Sequence, residues 1–137
     1  MNTIVRGYSD SDFEVVSKII FDSFGYEKSH VSSDTAYEFV AEIDGVVVGY
    51  FILNEMIDII RNFKVYHIDY VCVDDNYRGK GIGTTMMNFA IQYAKENNIR
   101  RLELTSSNSR ISAHKLYEKM GFDKRDSSIF RKELIWF

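Results

Sequence analysis

The stretch Arg78-Gly79-Lys80-Gly81-Ile82-Gly83-Thr84 stands between the most strand-like and the most helix-like segments of this chain. Before it, Val65 to Val73 is rich in β-branched and aromatic residues. After it, Ile82, Met86, Phe89, Ala90, Tyr93 and Ala94 recur at helical spacing. A strand, a glycine-rich turn and a helix in that order call for an α/β arrangement, with chemistry sought at the turn. Alternating glycines let the backbone take positive φ and come close to a ligand, and the N–H groups that open a helix converge on an anion. The register excludes two familiar phosphate loops. A Walker A loop needs Lys followed by Ser or Thr, whereas Lys80 precedes Gly81. A dinucleotide fingerprint starting at Gly79 and Gly81 needs Gly or Ala where Thr84 stands.

Proline is absent, so element boundaries rest on glycine, Asx residues and periodicity. Thr3 to Arg6 predicts a short strand, and Ser9 or Asp10 caps a helix with the apolar face Phe13, Val16, Ile20 and Phe24, stopped at Gly25. Tyr26 to Thr35 is polar and predicts a loop or a short irregular helix. Tyr37 to Leu53 reads as two antiparallel strands joined by Asp44-Gly45, the pair that favours a type I′ turn. Asn54 to Lys64 is open between strand, helical turn and loop. In Val65 to Val73, strict alternation puts Val65, His67, Asp69, Val71 and Val73 on one face and Tyr66, Ile68, Tyr70 and Cys72 on the other. Asn97-Asn98 supplies a helix stop, Arg101 to Ser106 a further strand, and Ala113, Leu116, Tyr117 and Met120 a second amphipathic helix closed by Gly121. Lys124 to Phe137 reads as a hairpin around Ser127-Ser128.

With 137 residues and no linker or repeat, residues 1–137 are expected to form a single domain. The 17 basic against 20 acidic residues leave a net charge of −3, which disfavours nucleic acid as a partner. One cysteine, Cys72, allows no intrachain disulfide and offers no thiolate cluster for zinc. Neither a secretory leader nor a membrane span is expected, which predicts a cytoplasmic protein. The terminal Ile135-Trp136-Phe137 suggests a last strand packed on its own sheet or a homodimer contact.

The loop also resembles the signature of the GNAT family of N-acetyltransferases, Gln/Arg-x-x-Gly-x-Gly/Ala, through Arg78, Gly81 and Gly83. A second family element, Leu/Phe-Tyr-Glu-x-x-Gly-Phe, is matched by Leu116-Tyr117-Glu118-Lys119-Met120-Gly121-Phe122. The resemblance runs from about Val65 to Phe122 and implies a mixed, mostly antiparallel sheet of six or seven strands flanked by about four helices. It implies acetyl-CoA as cosubstrate, no metal, and transfer of the acetyl group to a primary amine on a small molecule or peptide. A CoA-binding regulatory or assembly module without turnover is the alternative. The family further implies that the backbone of Arg78, Gly79, Lys80, Gly81, Ile82, Gly83 and Thr84 holds the pyrophosphate, that the strand carrying Val71 and Val73 pairs with the pantetheine arm, and that Tyr117 is the general acid. Two positions depart from the pattern. Asp74-Asp75-Asn76 stands where a proline often precedes the loop, and Arg110 stands where an asparagine often contacts CoA, with Asn108 nearby.

Amine acylation needs a proton acceptor, because the substrate arrives as ammonium. His67, Asp69, Glu103 and water are all candidates, and His67 has the most suitable intrinsic pKa. Tyr117 also fits a helix core stripe, a role compatible with a working hydroxyl. Cys72 is expected to face away from His67 and Asp69 and to pack in the core. The acceptor side is expected from Tyr26 to Thr35, Asn54 to Lys64 and the C-terminal hairpin, with His30, Glu27 and Glu55 as groups that could attract an amine.

Overall fold

Backbone turns set by Gly and Asx residues fix most of the architecture. A computed structural model describes residues 2–135. The chain divides into two units, Met1–Thr105 and Ser106–Phe137. In the first unit, β1 (Thr3–Gly7) leads through a single 3-10 turn into α1 (Phe13–Phe24), followed by β2 (Ala36–Ile43), β3 (Val46–Asp58), β4 (Phe63–Val73), α2 (Ile82–Glu96) and β5 (Arg101–Leu104). The sheet order is β1-β2-β3-β4-β5, with every pair antiparallel except β4 with β5.

Local chemistry accounts for these boundaries. Ser9 caps the first turn in a reciprocal box with Asp12, and the buried Asp12 carboxylate also takes Arg6 at 2.8 and 2.9 Å. Gly25 ends α1 at φ 76°. Asp44 and Gly45, at φ 50° and 79°, make the expected type I′ turn. The ambiguous Asn54 to Lys64 stretch is the far end of a long hairpin, turned where Asp58 accepts from the Arg61 and Asn62 backbone N–H groups. Asn98, at φ 57°, closes α2 while the Ile99 N–H reaches the Ala94 carbonyl.

Two hydrophobic layers cover the sheet. Val16, Ile19 and Ile20 of α1 pack on Val40, Tyr50 and Cys72. On the opposite face, Phe89 and Tyr93 of α2 pack tilted or edge-on against Phe39 and Phe51, and Tyr93 stacks on Tyr66. Gly49 permits that second contact, because a Cβ there would lie 2.9 Å from the Met86 sulfur.

The second unit contains α3 (Ile111–Lys119). The expected hairpin from Lys124 is absent from the described residues, since 124–135 pair with nothing as strand; Trp136 and Phe137 lie outside them. The described architecture is therefore a mixed sheet of five strands with three α-helices, not six or seven strands with four helices. Apolar alternation alone made the tail look like strand, and alternation does not supply a hydrogen-bonding neighbour. Among the described residues, no helix is long and apolar enough to cross a membrane.

Candidate active site

The alternation expected along β4 fails at Tyr70. This residue takes φ 54°, and the β3–β4 register shifts between Tyr50 and Ile52: Ile52 faces Asp69, whereas Tyr50 faces Cys72. Two residues, Tyr70 and Val71, thus oppose the single Phe51, which is a β-bulge. The consequence corrects the expected faces. His67, Asp69 and Cys72 lie opposite Asn54, Ile52 and Tyr50, three alternate residues of β3, so all three share the α1 face. Val73, opposite Gly49, turns to the α2 face and does not accompany His67. Cys72 is buried against Val16 and Ile20, so its core role holds although its face does not.

Parallel pairing of β4 with β5 ends at Ile68 and Leu104. Beyond it, among the described residues, Asp69 to Val73, with Val71 and Val73 among them, have a strand neighbour on the β3 side only. The chain then reaches the glycine loop. Gly79 and Gly81 take φ 75° and 78°, values a side chain would strain, and the space where either Cβ would project is open. Gly81 caps α2, so the N–H groups of Ile82, Gly83 and Thr84 lie in its first turn and the helix dipole adds positive potential there. The loop's two cations are placed differently. Arg78 is tied to Asp75 at 2.7 Å, while Lys80 lies over the Tyr77 ring at 5.7 Å.

Before the bulge, four polar side chains form a chain across the sheet. Asn54 donates to Asp69 at 2.6 Å, Asp69 meets His67 Nδ1 at 3.0 Å, and His67 Nε2 lies 3.4 Å from the Thr105 hydroxyl. The Asp69 hydrogen bond raises the His67 pKa above its ordinary 6.5 against the opposing effect of burial. Burial pushes the Asp69 carboxyl up, but hydrogen bonds from His67 and Asn54 outweigh it and leave the carboxyl below its usual range. With the Nδ1 proton committed to Asp69, Nε2 is the accepting nitrogen and faces the Thr105 hydroxyl. Glu103 is on β5 opposite His67 and contacts Arg101.

Asn54 and Ile52 also line a cavity of about 320 Å³ between the Tyr26 to Ser33 segment, α1 and the sheet. Of the expected acceptor groups, Glu27 lines this cavity, His30 stacks on Phe13 at 3.8 Å, and Glu55 contacts Lys64 and Tyr37.

In the second unit, Asn108 and Arg110 immediately precede α3, and Arg110 occupies its N-cap. The Leu116 to Phe122 motif ends the helix. Phe122 N–H donates to the Tyr117 carbonyl, Gly121 N–H donates to that of Glu118, and the Phe122 ring meets Tyr117 edge-on at 6.1 Å. With Gly121 at φ 90°, this is a complete Schellman stop. Burial raises the Tyr117 pKa above 10.0, against a smaller lowering by Arg110, and so keeps the hydroxyl protonated.

A family model described as the acetyltransferase (GNAT) family matches residues 3–122. The chain belongs to this family. An uncharacterized N-acetyltransferase of Methanocaldococcus jannaschii is 35% identical over 89 residues, covering 64% of this chain and 39% of that protein. Human N-acetyltransferase 8B is 30% identical over 103 residues, covering 75% of this chain and 45% of its own length. The chain thus spans less than half the length of either relative. The crystal structure of a ribosomal-protein-alanine N-acetyltransferase from Brucella melitensis superposes with a TM-score of 0.83 over 97% of this chain and all of that one, at 18% identity, which establishes the shared GNAT fold.

Among the residues expected from the sequence, His67 and Asp69 are brought together, and β4 carries Val71 and Val73 toward the Arg78 to Thr84 loop of this GNAT chain. Sequence reasoning missed Thr105 and Tyr70, and it included Asn54 in the acceptor-side segment without its bond to Asp69. Asn54 had one usable signal, an amide inside an otherwise apolar strand pattern. Tyr70 had none, because an aromatic residue rarely takes left-handed backbone.

Proposed function

We propose that this chain transfers an acetyl group from acetyl-CoA to a primary amine by direct attack within a ternary complex, and that residues 1–137 act as one acetyltransferase domain. The observation that carries the reading is the composition of β4: a His67–Asp69 pair, a bulge at Tyr70, a one-sided edge at 69–73, and a following glycine loop that opens α2. The family match across residues 3–122 supports it.

The backbone N–H groups of Ile82, Gly83 and Thr84 suit the paired phosphates, Gly79 and Gly81 admit their close approach, and Lys80 adds charge. Arg78 serves to brace the loop through Asp75. The edge carrying Val71 and Val73 suits an extended amide-bearing arm added as a further strand. A β4 amide beside the bulge would hold the oxygen charge that develops as the amine attacks, a contribution of ~2.7–4 kcal/mol for one such donor. Asn108 is assigned a contact to the cosubstrate.

His67 Nε2 takes the proton from the substrate ammonium, directly or through one water, while Asp69 holds the ring and stabilises its charge. The neutral amine forms the new C–N bond as the C–S bond breaks. Tyr117 gives its hydroxyl proton to the departing thiolate, a role its raised pKa suits, since the proton is present at neutral pH.

Release of free thiol from acetyl-CoA across polyamines, amino acids, aminoglycosides and peptide N-termini tests the reading. Turnover with at least one amine is expected. Tyr117→Phe should lower the steady-state rate by roughly tenfold or more with CoA affinity retained. Absence of thiol release with every amine, together with no affinity for acetyl-CoA, overturns it.

A further inference from the structure

We infer that the acceptor is a primary amine bearing one positive charge on an apolar or aromatic body, and that polycationic amines are poor substrates. This rests on the acetyltransferase reading above and concerns the cavity beside His67 and Asp69.

At about 320 Å³, the cavity lies at the small end of the range for ligand pockets, roughly 300–1,000 Å³. Its apolar walls are Ile20, Tyr26, Val31, Ile52 and Tyr70, and the exposed Ser29, Ser32 and Ser33 line it as well. A further ammonium of a polycation drawn inside against these walls would need a carboxylate of its own, since an unpaired charge removed from water is penalised. Two carboxylates line the space, Glu27 and Glu38, and Glu38 is already taken. Lys28 Nζ lies 2.9 Å from Glu38 Oε1, with the Lys28 side chain 10% exposed and that of Glu38 18%. Tyr50 donates its hydroxyl to the same Glu38 oxygen at 2.5 Å.

Three rings complete the enclosure. Lys28 Nζ is 4.8 Å from the Tyr8 centroid, 5.8 Å from Tyr50 and 5.9 Å from Phe13. A carboxylate with aromatic faces around it is the chemistry that recognises an organic cation. In this protein that box is filled by the chain's own ammonium, so it cannot serve a second charge on the substrate. Among the described residues, Glu27 is the lining carboxylate outside any ion pair, and it lies exposed at the rim. One ammonium can be attracted there and delivered toward Asn54, Asp69 and His67, while its apolar body packs between Ile52 and Tyr70.

Thiol release from acetyl-CoA should be measured with 2-phenylethylamine, a peptide with N-terminal leucine, spermidine and kanamycin. The expected result is a kcat/KM for one of the first two at least about tenfold above both polycations, and the ratio between those two distinguishes a free amine from a chain terminus. Lys28→Met keeps an apolar stem and frees Glu38, so it should raise kcat/KM for spermidine by about tenfold relative to the monoamine. If melting shows that variant unfolded, Ile52→Asp supplies an unpaired carboxylate and should shift the preference in the same direction. Polycations equalling or exceeding the monoamines in the unmodified protein overturns the inference while leaving the acetyltransferase reading intact. So does a folded Lys28→Met protein with an unchanged ratio, or acetyl-CoA binding without turnover of any of the four. Failure of the broader reading is recognised separately, by loss of both acetyl-CoA affinity and all thiol release.

Discussion

His67 and Asp69 move each other's titration in opposite directions, which gives the pair a signature in pH. The Asp69 hydrogen bond raises the His67 pKa above 6.5, so as a base His67 becomes active only when pH exceeds that raised value. The acid limb of kcat/KM is therefore expected above pH 6.5. In Asp69→Asn the principal raising cause disappears and burial is opposed by the Glu103 charge alone, so the limb should move to lower pH while the plateau rate falls as Nδ1 loses its orienting acceptor. A pH–rate profile of both proteins checks this, and an unmoved limb would assign the base elsewhere. Stability runs the other way. The raised folded pKa means that the His67 contribution is complete below the unfolded value of 6.5 and fades as pH climbs through the folded one. The depressed Asp69 pKa makes its contribution present above 3.8 and lost as pH falls through the folded value. The pair thus stabilises the fold most in mildly acidic solution, where the proposed base would be least active.

Among the elements, the start of α2 concentrates the cosubstrate reading into backbone geometry. Gly81→Val places a β-branched residue at φ 78°, at a cost of roughly 1–2 kcal/mol, and should weaken acetyl-CoA binding without altering any charge. Gly7→Ala is the control, since its φ is ordinary and its surroundings are open; calorimetric titration should find its affinity unchanged. Such turns are also where sequence and structure agree best. Asp44-Gly45, Gly25, Asn98 and Gly121 each sit at positive φ, as their chemistry announced. The β4 bulge was invisible because its pivot is a tyrosine, and strict alternation then misplaced Cys72 and Val73. The tail from Lys124 was misread for the opposite reason, since its apolar pattern resembled a strand with no pairing partner among the described residues. At the site, His67 and Asp69 were legible from their spacing of two on one strand. The Lys28–Glu38 pair was not, because its partners come from a loop and a strand and meet only in the folded chain.

For the molecule as a whole, the glycine loop predicts a thermodynamic linkage. A ligand gripped by the native fold alone stabilises by about 2.7 kcal/mol at a hundred times its Kd. For a chain of this size that corresponds to a rise in Tm on the order of 10 °C. Acetyl-CoA should produce such a shift in a thermal melt, whereas ATP and NAD should produce much less, because they lack an arm to lie along β4. Equal shifts with all three would reduce the loop to a general anion site.

The bulge at Tyr70 also dictates how this chain can tolerate change in length. Deleting Tyr70 would remove the extra residue, so that Val71 alone opposes Phe51 while Cys72 and Val73 keep their partners Tyr50 and Gly49 and therefore their faces. The thiol would stay in its apolar niche under α1, and the loss would be confined to the left-handed kink between Asp69 and Val71. The register can therefore absorb a single-residue loss at this point, whereas the same loss at a regularly paired position of β4 would send every later side chain to the opposite face.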